Sequence, residues 1–284
     1  MIELIMKPKR AERRPWEMFF VGAFWASVSL LLVSFVFGKD TVLKEGSGLL
    51  VVIFTVITCL PFMYYIIKLE EGKDIEIDNT GRLIKEHSKA IHALMWLFIG
   101  FIVAFSFWYS VLPDQSAQNF NFQIKTFCAI NSPSNYEYCL DSHGVPVATA
   151  VVTGGEAVKS IFANNIFVLI FTILLSLAFG AGAMFILVWN ATVIAAAMGI
   201  FAKKSVAALP LALTRYMFHG LPEISAYFVG ALAGGILSVA VIRKDLHGES
   251  KWRILQDSLL LIIIAIGILF IAALMEVYVT PLLF

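Results

Sequence analysis

The sequence predicts an all-α fold, a polytopic transmembrane helical bundle of about seven spans, and three observations carry that expectation. Hydrophobic residues make up 60% of the chain and charged residues only 14%, against about 25% charged in a soluble domain. Mean hydropathy is +0.85, more apolar surface than a water-soluble fold of 284 residues can hide. The apolar runs are long and unbroken, not alternating. In lipid every backbone N–H and C=O needs an internal partner, so the spans are helices and not barrel strands.

In chain order the spans fall at about 16–38, 49–67, 91–112, 161–180, 183–201, 222–242 and 254–278. The apolar stretch from Ile161 to Ala202 is twice what one crossing needs, about twenty residues. It therefore reads as two spans hinged at Gly180-Ala181-Gly182. Residues 206–218 are apolar but short and interrupted by Pro210 and Arg215, which predicts a re-entrant or interfacial helix before the sixth span. Pro222 suits the first turn of that span, where a missing N–H costs nothing. The mixed-charge stretch 68–89 reads as a solvated linker.

Basic residues set the expected orientation. With the N-terminus in the cytoplasm, fourteen of the 21 Lys and Arg residues fall in inside segments, 1–15, 68–89 and 243–253. That bias predicts a multi-pass cell-membrane protein, N-terminus cytoplasmic and C-terminus outside, with no cleaved signal peptide. Segment 113–159 becomes an extracytoplasmic loop. It holds Cys128 and Cys139, which an oxidising compartment would allow to pair as a disulfide; two free thiols is the alternative. Cys59 lies inside an apolar run. A net charge of +1 argues against a nucleic-acid partner.

Polar residues inside the apolar runs mark the candidate site. Asn164 and Asn165 open the fourth span; His219 and Glu223 open the sixth, with Arg215 just before. All fall near the outer edge of the membrane, where such groups face the bundle interior and pair with one another. They form either a structural hydrogen-bond network or an ion or solute site. Asn190, deeper in the fifth span, is expected to bond across helices. His219 and Glu223 are separated by Gly220 and Pro222 and have no evident third ligand, so no metal site is expected. No catalytic set and no cofactor motif is present. Gly180 and Gly182 mark the hinge. Gly230 and Gly234 form a Gly-x-x-x-Gly face that permits close helix contact, within the chain or between two copies.

The order Asn164-Asn165, Phe179-Gly180-Ala181-Gly182, Asn190, Pro210, His219-Gly220-Leu221-Pro222-Glu223 and a Gly-rich span resembles the stage II sporulation protein M family over about residues 160–245. Asn190-Ala191 stands where family members carry Asn-Gly, and Phe218 where they carry Pro. The resemblance implies a non-enzymatic membrane scaffold or assembly factor that holds partners at the membrane. The rival expectation is a channel or transporter for a small solute or ion, using the polar outer layer. The expected partners are membrane lipid, a second copy of the chain, and other membrane or extracytoplasmic proteins.

Overall fold

The computed structural model describes residues 7–77, 79–112, 118–131, 136–141, 154–204, 209–243 and 248–283; within these, the side chains of Arg215 and His219 lie outside the description. Every described element is helical. A short helix α1 (Pro8–Arg13) precedes α2 (Glu17–Leu32), which runs on through a wider π-helical turn, Val33–Phe37. The hairpin α3 (Ser47–Glu76) and α4 (Thr80–Val111) follows. The loop contributes α5 (Asn121–Asn131) and α6 (Tyr136–Asp141). Then come α7 (Gly155–Phe179), α8 (Met184–Lys204), α9 (Leu209–Arg243) and α10 (Gly248–Leu274), the last extended by further helical turns to Leu283.

Six of these helical stretches are long and apolar enough to cross a membrane; α8 carries a shorter apolar stretch, Met184–Ile200. The packing of its neighbours fixes what α8 does. Asn165 of α7 meets Glu223 of α9, Leu169 approaches Gly230, Ile173 approaches Gly234, and Gly180 lies beside Ser238. Both numbers rise together, so α7 and α9 run in the same direction. The intervening helix must return the chain to the end where α7 began. With 21 residues, α8 is about 31 Å long, enough for that return. The hinge lies where the sequence placed it. Gly180 ends α7 at φ +64°, a left-handed conformation that glycine adopts without a Cβ clash.

Two expectations change, and the loop gains a place on the bundle. First, of the stretch 206–218, residues 206–208 lie outside the described residues and the rest is not a separate helix: α9 is continuous for 35 residues, with Pro222 in its interior. Starting a new helix at Pro222 would strand backbone groups in lipid, whereas carrying the helix through leaves only the proline's own missing bond. At about 52 Å, α9 overreaches a hydrocarbon core of about 30 Å. Second, 68–89 is no solvated linker. α3 extends into it to Glu76 and α4 from Thr80, with Asn79 capping α4 by accepting from the Arg82 N–H at 2.9 Å. The described start of the loop segment, residues 118–131, is anchored to the bundle. Gln123 donates from Nε2 to the Gly48 carbonyl at 3.1 Å and to Thr192 Oγ1 at 3.2 Å, and Asn119 Nδ2 donates to Ser34 Oγ at 2.6 Å.

Close backbone approaches hold the bundle together. A Cβ added at Gly234 would stand 2.7 Å from the Ile173 carbonyl oxygen. One at Gly182 would meet the Leu175 carbonyl oxygen at 2.5 Å. Gly22 and Gly100 play the same part between α2 and α4, each facing backbone of the other helix. The Gly230 and Gly234 face is therefore filled by α7 of the same chain.

Candidate functional site

Two polar clusters lie at opposite ends of the bundle. Glu223 belongs to one and Arg243, salt-bridged to Glu71, to the other. About twenty residues of α9 separate them, roughly 30 Å.

The first cluster is the one the sequence anticipated, in part. Asn165 donates from Nδ2 to Glu223 Oε1 at 2.6 Å and accepts on Oδ1 from the Tyr227 hydroxyl at 2.9 Å. Glu223 and Tyr227 are four apart on α9 and so share a face; a single asparagine on α7 clamps both. Glu276, in the extension of α10, brings a second carboxylate close enough for its charge to act on Glu223. Asn164 is exposed, because one helical step turns it away from the face that Asn165 presents to α9. Asn190 donates to the Ile186 carbonyl one turn back at 2.8 Å; the expected bond across helices is replaced by one within α8. Tyr227 and Glu276 were not foreseen. Arg215 and His219 fall outside the described side chains, so their share in this layer lies outside the description too. A cavity of about 300 Å³ has its lining at Ser34, Phe35, Gly38, Lys39, Gln118 and Asn119.

The second cluster lies in the stretch read as a linker. Glu70 and Asp74 sit one turn apart on α3, His87 projects from α4, and Asp257 from α10. All four are buried, with relative exposures of 0, 1, 1 and 6%. His87 Nδ1 is 2.8 Å from Glu70 Oε2; Nε2 is 3.0 Å from Asp257 Oδ2 and 3.1 Å from Asp74 Oδ1. Lys73 Nζ bridges Glu70 at 2.7 Å and Glu12 of α1 at 2.6 Å. Burial, followed by the neighbouring Glu70, pushes the Glu12 carboxyl up to about 7, against the pull of Lys73. Taking ions out of water costs several kcal/mol each unless partners satisfy them, so this constellation is an expensive feature to hold. Asp74, His87 and Asp257 could hold a metal ion: one ligand atom from each lies within 4.8 Å of the others.

A signal for this second cluster was present in the sequence. Asp257 is a carboxylate inside an apolar span, which by itself marks a site needing a partner. Glu70, Lys73 and Asp74 are spaced to share a helix face that continues the apolar stripe of α3.

Cys128 and Cys139 face each other with Cα atoms 5.7 Å apart, inside the range a disulfide requires. Cys59 is buried in α3.

Comparison with curated proteins and with solved structures returned no match. The family model of stage II sporulation protein M matches residues 92–281. The match reaches well beyond 160–245, from within α4 to the end of α10. It contains every residue of the first cluster and Asp257 of the second. Spanning two thirds of the chain, in register with a bundle of apolar helices, it establishes that this multi-pass membrane protein belongs to the stage II sporulation protein M family.

Proposed function

We propose that this protein is a non-enzymatic membrane scaffold or assembly factor, a rigid multi-pass body that seats partner proteins at the cell membrane. The observation that carries this reading is the closure of the outer polar layer. Asn165 uses both ends of its amide on Glu223 and Tyr227. Beneath it the single Ser176 O–H is shared between the Ala231 carbonyl at 2.6 Å and the Gly180 carbonyl at 2.7 Å. These groups tie α7 to α9. The family resemblance points the same way.

In this reading the N-terminus is cytoplasmic, following the basic-residue bias, and the C-terminus is outside. The 113–159 loop, cross-linked through Cys128 and Cys139, is the extracytoplasmic surface offered to partners. Membrane lipid and a second copy of the chain remain candidate neighbours.

The rival is a small-solute or ion channel through Glu223. Proteoliposomes loaded with Na⁺, K⁺ or H⁺ indicators separate the two. The scaffold reading expects leakage at the level of empty vesicles. Flux above that level, abolished by Glu223→Gln, would overturn it. Maleimide labelling of Cys128 and Cys139 on intact cells, before and after reduction, checks the cross-link and the side of the loop together.

A further inference from the structure

We propose that Asp74, His87 and Asp257 form a binding site for one divalent transition-metal ion at the end of the bundle that carries α1. This inference is independent of the scaffold reading.

Three separate features support it. The first is spacing. Adjacent donors of an octahedral ion with bonds of about 2.1 Å stand about 3.0 Å apart. His87 Nε2 lies 3.0 Å from Asp257 Oδ2 and 3.1 Å from Asp74 Oδ1. The three donors come from three helices; the imidazole stands at first-sphere distance from both carboxylates, and all three lie within 4.8 Å of one another. The second is the support behind the ligands. A metal-bound histidine commonly donates its other N–H to a carboxylate, which fixes the tautomer and aims the ring. His87 Nδ1 has Glu70 Oε2 at 2.8 Å, and Glu70 is held in turn by Lys73 at 2.7 Å.

The third is the set of oxygens that the protein leaves over. Both carboxylate oxygens of Asp74 and Oδ1 of Asp257 are buried without a hydrogen-bond partner among the described residues. A single Nε2–H cannot serve two carboxylates well, and Asp257 takes it. Buried polar atoms are nearly always satisfied, so such a set calls for an explanation. Asp74 and Asp257 line a cavity of about 200 Å³, with Thr80 and Gln256 on its wall, which gives room for waters to complete the coordination. Arg253 also lines it. One imidazole with two carboxylates suits ions of the manganese, iron and zinc class; the imidazole disfavours Mg²⁺ and Ca²⁺, and no thiolate is present for softer ions. The competing occupant is a proton: a doubly protonated His87 donating to Glu70 on one side and to Asp257 on the other.

The test uses the full chain in lipid nanodiscs, stripped with chelator and titrated with MnCl₂ in the presence of excess Mg²⁺, with bound Mn²⁺ counted by electron paramagnetic resonance. The expected result is one Mn²⁺ per chain, displaced by ZnCl₂, with pulsed spectra showing nitrogen coupling from one histidine. Asp257→Asn and His87→Gln abolish binding, Glu70→Gln weakens it by about 10- to 100-fold, and Glu223→Gln leaves it unchanged. Should the ligand variants fail to fold, the wild-type spectrum decides alone. Stoichiometry near zero, or bound Mn²⁺ without nitrogen coupling, overturns the proposal in favour of the proton.

Discussion

Replacing Gly234 with alanine perturbs the α7–α9 seam where α9 meets the backbone of α7, by a single methyl group. The new Cβ would stand 2.7 Å from the Ile173 carbonyl oxygen, 3.0 Å from Ser176 Cβ and 3.3 Å from the Leu177 nitrogen, where ordinary contact begins at 3.4 Å. Two of these atoms are backbone and cannot swing aside, so the helices must separate by about 0.7 Å, the shortfall at Ile173. Overpacking of this kind costs about 1–3 kcal/mol. Alanine returns up to about 1 kcal/mol of helix propensity, which leaves a net loss of about 1–2 kcal/mol. Separation also stretches the Ser176 bond to the Ala231 carbonyl, now 2.6 Å. Gly267→Ala is the matched control: it lies inside α10 with nothing within 4 Å of an added Cβ, so it should be neutral or stabilising. Reversible unfolding in mixed micelles with increasing dodecyl sulfate measures both. Equal stability of Gly234→Ala and the wild type would refute the close seam.

Asn165→Leu strands the Glu223 carboxyl and the Tyr227 hydroxyl together, at an expected cost of about 2–4 kcal/mol. The double variant with Glu223→Leu should recover part of it, because removing both partners is cheaper than orphaning one; identical melting of single and double variants would sink the clamp. Docking of α1 should depend on pH through Glu12. Its folded value, about 7, lies above the ordinary 4.5, so the contribution is full below about pH 4.5 and is lost as pH rises through 7. The gap sets a ceiling of about 3 kcal/mol; half-burial and the Glu70 coupling lower the expectation to about 1–2 kcal/mol. Cleavage by trypsin after Arg10 and Arg13, corrected for the enzyme's own pH profile, should be faster at pH 8 than at pH 5, and the opposite order would exclude this role.

The bundle was legible because lipid imposes one rule, a long apolar helix, that residue types report directly. The Gly180 hinge was legible because a forty-residue apolar run cannot be one crossing. Pro222 misled for a local reason. Its preference for a first turn is real, but in an apolar setting the demand to keep backbone bonds closed carries the helix through it. Asn165 and Glu223 could be paired by depth. Asn164 could not be told from Asn165 without the rotation of α7. The second cluster escaped because mixed charge in a loop-like window usually means solvent. Here the charges sit on helical faces that meet only when α10 arrives, and a pairing of His87 with Asp257 across 170 residues leaves no local trace.

The parallel course of α7 and α9 has a consequence for biogenesis. In α9 83% of the apolar window is buried within the protein, against 22% in α7. During synthesis α7 therefore enters the bilayer before the α9 partners of Asn165 and Ser176 exist, and α8 must finish its return before they arrive. The hairpin α3–α4 waits in the same way, since Asp74 and His87 gain Asp257 only when the final helix leaves the ribosome. Both polar clusters are thus locked by the last two segments to be translated. A nascent chain stalled before residue 220 would hold exposed polar groups within the membrane, a mark by which an incomplete copy can be told from a finished one.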